Sequence, residues 1–158
     1  MRRASKLAAL AAIVAGGGGW IVYSHAWRHS GARPLPYRDA TSRLRDLHPA
    51  READRLFLDP RQLSYYVRFA DPGYARPLPR IDFARDEAVL VTTGPRSSTG
   101  YSVQIVDVVE ERSRVVVNLR ERTPSLRDPG RALVTYPYRL LVFRRIDKPV
   151  YIVWQGRP

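Results

Sequence analysis

Tyr101-Ser102-Val103-Gln104-Ile105-Val106-Asp107-Val108-Val109, the polar turn Glu110–Ser113 and the returning run Arg114–Arg122 decide the fold. Tyr101, Val103 and Ile105 alternate with Ser102 and Gln104, and Val115, Val117 and Leu119 share one face of the return. A period of two is the mark of a strand with one buried face. Two such runs joined by a short polar turn form a hairpin. Working outward, Glu87–Thr93 is mostly apolar and reads as a central strand. Leu133–Arg145 is long enough to bend at Pro137, and Val150–Gln155 closes the chain after Asp147-Lys148-Pro149. Upstream, Arg55–Leu58 is a short strand. Asp59-Pro60 then supplies an N-cap and a first-turn proline for a helix over Pro60–Ala70, whose inner face is Leu63, Tyr66, Val67 and Ala70. Asp71-Pro72-Gly73 ends that helix. The expected fold is mainly β (α+β): a small, mostly antiparallel sandwich or partly open barrel with one capping helix.

The N-terminal part reads differently. Arg2, Arg3 and Lys6 precede Leu7–Trp27, 21 residues without a formal charge. That length just spans a bilayer as a helix. It also fits an export signal ending in Ser24-His25-Ala26. Gly16–Gly19 favours cleavage, whereas Trp20, Tyr23 and Trp27 suit an uncleaved anchor at the interface. The expected organisation is a signal or membrane anchor over 1–27, a basic, proline-containing spacer over 28–50, and a β domain over 51–158. Within the spacer, Tyr37–Leu47 can form a short helix, although its polarity gives such a helix little reason to be stable alone. The chain is thus expected to be exported: held to the membrane with its domain outside the cytoplasm, or periplasmic or secreted if cut after Ala26.

The formal net charge of +12 invites a nucleic-acid reading. Of 27 basic residues 25 are arginine, a skew that a GC-rich genome produces without selection for anions. The excess is also spread, +7 over Met1–Pro79 and +5 over Arg80–Pro158, rather than gathered in one stripe. Nucleic acid is therefore disfavoured as a partner. Cysteine is absent, which removes disulfides, thiolate metal sites and a cysteine nucleophile. His25, His29 and His48 all precede Arg51, so no triad or histidine-based zinc site is expected within the domain. Lys148 is the domain's single lysine, which leaves Ser97, Ser98 and Thr99 without an evident base. The expectation is a protein without catalytic residues, cofactor or metal.

Two stretches carry the candidate binding site. Gly94-Pro95-Arg96-Ser97-Ser98-Thr99-Gly100-Tyr101 is a polar loop between strand-like runs, and its bracketing glycines are suited to positive φ. Thr135-Tyr136-Pro137-Tyr138 puts a proline in an aromatic strand, which marks an edge or a bulge. Each has a structural reading, as turn and core, and a functional one, as a contact surface for another protein. The candidate residues are Ser97, Ser98, Thr99, Gly100, Tyr101, Tyr136, Pro137 and Tyr138.

The order of these features resembles the C-terminal domain of the PrcB (protease complex subunit) family. Asp82-Phe83, Gly94, Gly100-Tyr101, Pro124, Pro129-Gly130 and Pro137-Tyr138 follow that family's sequence of landmarks over about Arg80–Val150. Ser97, Ser98 and Thr99 stand where the family tends to have Pro, Thr and Gly. The resemblance implies a non-catalytic scaffolding subunit that stabilises or anchors an extracellular protease or another envelope complex. A rival is a protease inhibitor, since Ser98-Thr99-Gly100-Tyr101 is similar to a loop of chagasin-like inhibitors, although Val103 replaces their tryptophan. A second rival is a module binding wall or nucleic-acid polyanions, resting on charge alone.

Overall fold

A computed structural model describes residues 31–128 and 130–156. The apolar segment Leu7–Trp27, the cleavage motif Ser24-His25-Ala26 and Pro129 lie outside the described residues. In chain order the elements are β1 (Arg33–Pro34), β2 (Tyr37–Asp39), a 3₁₀ turn (Thr41–Arg43), β3 (Glu52–Phe57) and α1 (Pro60–Ala70). Then follow β4 (Asp86–Thr93), β5 (Arg96–Ser98), β6 (Ser102–Glu110), β7 (Val115–Arg122), β8 (Ala132–Thr135), β9 (Tyr138–Arg144) and β10 (Val150–Gln155).

The decisive hairpin forms as its periodicity requires. β6 and β7 pair antiparallel, with a bulge between Ile105 and Asp107. The extra residue resets the alternation, so Val103 and Val108, five apart, both reach the same core. The amide of Asn118 donates to Asp107 Oδ1 beside the bulge at 2.6 Å. The first sheet runs β1-β6-β7-β10 and the second β2-β9-β4-β3. Their facing sides supply Val103, Val117 and Leu119 from one, Val89, Val91, Leu141 and Phe143 from the other. The far side of the second sheet carries Ala88, Leu90, Leu140 and Val142, which pack under Leu63 and Val67 of α1 with Leu44, Leu47 and Phe57. The order of layers is therefore sheet, sheet, helix. β4 is central and buried on both faces, which is why its sequence is an apolar run without alternation.

Among the described residues each four-stranded sheet ends in strands paired on one side, so the sandwich reading holds and no barrel closes. Pairing is antiparallel except that β10 lies parallel to β7. α1 begins as predicted: Asp59 Oδ1 accepts from the amides of Arg61 and Gln62 at 2.8 and 2.9 Å. Among the described residues no helix is long and apolar enough to cross a membrane.

Three expectations need correction. Residues assigned to the spacer take part in the fold: β1 and β2 join the two sheets, and Leu35, Ala40, Leu44 and Leu47 are buried. Arginine and proline density hid that apolar spacing. Tyr37–Leu47 is not a helix, because Asp39 Oδ1 takes the Thr41 amide and Thr41 Oγ1 takes the Leu140 amide, which turns the chain there. Finally, Leu133–Arg145 is two strands in two sheets, and the loop before Tyr101 contains a strand of its own, β5.

Candidate partner-binding site

The two candidate stretches are partners. β4 and β9 pair along the second sheet up to Thr92↔Tyr138, and β5 and β8 resume the pairing at Arg96↔Thr135 as a separate two-stranded ribbon. One long antiparallel pair is thus folded over at Gly94-Pro95 on one arm and Tyr136-Pro137 on the other. Proline has no amide to donate, so the ladder lapses where Pro137 stands. The Pro137 carbonyl still accepts from the Thr93 amide at 3.1 Å. Gly94 takes φ +69° at the bend, and a Cβ there would lie 3.1 Å from the Arg51 and Glu52 backbone. No other residue type fits that corner without strain.

Gly100 differs from its expectation: its φ is not positive. It is needed for close approach instead, since a Cβ would meet the Pro124 ring at 3.0 Å. Around it the loop is bound to the ribbon. Ser98 Oγ accepts from the Gly100 amide at 3.0 Å, and the Ser98 carbonyl accepts from Thr135 Oγ1 at 2.9 Å. Thr99 exchanges two bonds with Arg131, amide to carbonyl at 3.1 Å and Oγ1 from the Arg131 amide at 2.9 Å. Ser97 and Thr99 remain exposed, Ser98 and Tyr101 half-buried, and Gly100 buried.

Tyr136, Pro137 and Tyr138 are half-buried. The Tyr136 ring meets His48 edge to face, centroids 4.9 Å apart. The Tyr138 hydroxyl donates to the Leu44 carbonyl, and burial pushes that hydroxyl's pKa up. Both tyrosines therefore hold the 44–48 segment against the second sheet. The base of the ribbon is fixed by charge: Arg96 grips Glu121 through two nitrogens at 2.6 and 3.2 Å and gives a third bond to the Thr93 carbonyl at 2.6 Å. The Glu121 hydrogen bond holds the guanidinium more firmly protonated. Arg96 also lies 5.9 Å over the Tyr101 ring.

Above this base the ribbon is open on both faces. Ala132, Leu133 and Val134 are all exposed, the last two at 56% and 59%, and Leu126 is fully exposed. Consecutive strand residues point to opposite sides. An exposed Leu133 next to an exposed Val134 therefore means that neither face is covered. Sequence reasoning missed these residues, and also His48, Leu44 and Arg96. The available signal was an uncharged Ala132–Val134 run next to the Pro/Gly loop, which periodicity alone does not separate from a buried strand. Among the described residues no cluster of His, Cys, Asp or Glu could hold a metal ion.

The family model described as PrcB C-terminal matches residues 88–144. This part of the chain is similar to the PrcB C-terminal family. The match runs from within β4 to the end of β9, so it takes in the folded-over pair, the ribbon and the β6–β7 hairpin. α1, β3 and β10 lie outside it. No curated protein and no solved structure matches the chain.

Proposed function

We propose that this chain is a non-catalytic subunit that holds or stabilises a protease-containing complex outside the cytoplasm, meeting its partner through the β5–β8 ribbon. The observation that carries the reading is the PrcB C-terminal match over β4–β9. The ribbon supports the choice of surface, because it exposes Leu133 and Val134 on β8 and the polar Ser97 on β5. Exposed apolar side chains rimmed by polar ones fit a protein contact. A role without chemistry agrees with Lys148 being engaged by Glu110 at 2.5 Å, so that it is not a free base for Ser97, Ser98 or Thr99.

The inhibitor reading gains no support, because the Ser98 carbonyl and Thr99 hydroxyl are taken up inside the ribbon. The polyanion reading is weakened by pairing of Arg33, Arg76, Arg96, Arg114, Arg122 and Arg139 with carboxylates. Placement outside the cytoplasm rests on the basic start and the uncharged Leu7–Trp27 segment. The test is copurification of the tagged full-length chain from its own cell envelope, alongside a fusion of residues 1–36 to a reporter active only after export. The reading expects a bound protease and an active reporter. Recovery of the chain without any protease, or a silent reporter made in normal amount, contradicts it.

A further inference from the structure

The two large sheets have four outer edges, and three are guarded. β1 is two residues long and contains Pro34, β2 is three residues with Arg38 and Asp39, and β3 carries Glu52, Asp54 and Arg55. Brevity, proline and charge are the devices that keep a free edge from pairing with another chain. β10 has none of them. Val150-Tyr151-Ile152-Val153-Trp154-Gln155 is six residues long and has no charge, proline or glycine. Among the described residues it pairs with β7 on one side only, and Tyr151 and Val153 are exposed at 51% and 44%. The strand is nevertheless firmly seated: Val150, Ile152 and Trp154 pack on the inter-sheet core, and Trp154 Nε1 donates to Asp54 Oδ2 at 2.9 Å.

We propose that the free edge of β10 accepts an extended, acidic segment of another protein as a fifth strand. The ladder supplies backbone bonds, and Tyr151 and Val153 supply the side-chain contacts. Charge selects the occupant. The chain carries a formal +12, so a second copy brought edge to edge meets like charge. Beside the strand Arg120 reaches the neutral Gln155 at 3.2 Å, whereas Arg114, 5.5 Å over the Tyr151 ring, is already held by Glu111 at 2.7 Å. A glutamate among apolar residues of the added strand would meet the charge of Arg120, which its bond to Gln155 leaves uncompensated. This edge lies beyond the family match, so it stands independently of the ribbon.

The test uses the full-length chain in detergent micelles and a dye-labelled peptide of about eight residues, long enough to cover the strand, alternating Glu and Val. Two control peptides carry Lys for Glu, or N-methyl groups on alternate amides. The proposal expects saturable binding of the Glu/Val peptide and new protection of the 150–155 amides from hydrogen exchange. It expects binding about tenfold or more weaker for both control peptides and for Val153→Lys and Arg120→Glu. Leu133→Ser, on the ribbon, should bind the peptide normally even where it loses a natural partner. The edge assignment is overturned if Val153→Lys, folded by circular dichroism, binds as well as wild type, or if the amides stay unprotected. Equal binding of the Lys/Val peptide overturns the acidic occupant. Sedimentation as a dimer with those amides already protected replaces it with a second copy.

Discussion

The same two strands behave in opposite ways on either side of one bend. Below it, β4 and β9 are buried on both faces, with Val89, Leu90, Leu140 and Leu141 fully enclosed. Above it, β5 and β8 continue the pairing but leave Leu133 and Val134 in water. Backbone pairing is common to both halves, so it does not explain the difference. What differs is layering: α1 and the first sheet sandwich the lower half and stop short of the upper. Burial makes the lower half the fold, and lack of burial makes the upper half available for contact.

The comparison breaks first if the lower half proves tolerant. Leu141→Ala should destabilise the domain by about 2–5 kcal/mol, the range for emptying a closely packed core position. Urea denaturation measures it, and a loss below that range would mean the inter-sheet core is loosely filled. The bend itself comes next. Gly94→Ala, at φ +69° and against the Arg51 and Glu52 backbone, should cost about 1–3 kcal/mol. Tyr138→Phe should cost about 1 kcal/mol, since it removes one hydrogen bond to the Leu44 carbonyl and leaves the ring in place.

A pH series sharpens the account of the lower half. Glu87 is buried at the start of β4, and burial holds its carboxyl above the ordinary value of 4.5, against the Ile146 amide and the Arg145 charge. Its proton is therefore bound more tightly in the folded than in the unfolded chain. That contribution is full below pH 4.5 and is lost as pH rises through the raised folded value. Stability of wild type relative to Glu87→Gln should accordingly fall over that window and level off above it. A flat difference would show that Glu87 is not desolvated.

Much of the lower half was legible in the sequence because burial leaves a pattern. The Tyr101–Arg122 hairpin showed its alternation, and Asp59-Pro60 announced α1. The Val150–Gln155 strand also stood out, though not its parallel pairing. The bend was half legible. Gly94 and Pro137 were visible as punctuation, but nothing local indicates that two breaks 43 residues apart face each other across a strand pair. The Arg33–Leu47 strands and core residues were hidden by their charged neighbours. Of the candidate site, Gly100 was singled out for the wrong reason, since it serves close packing against Pro124 rather than positive φ. Tyr138 was singled out as a contact and sits under Leu44. Leu133 and Val134 escaped notice because an uncharged strand looks the same whether it is buried or bare.

The most direct measurement compares capture and stability in one variant. Leu133→Ser combined with Val134→Ser should change folding stability by no more than about 0.5 kcal/mol per site, as exposed positions do. In copurification from the native envelope, the same variant should lose most of the protease that wild type retains. Full retention of that partner by the folded double variant would contradict the assignment of the ribbon as the contact surface.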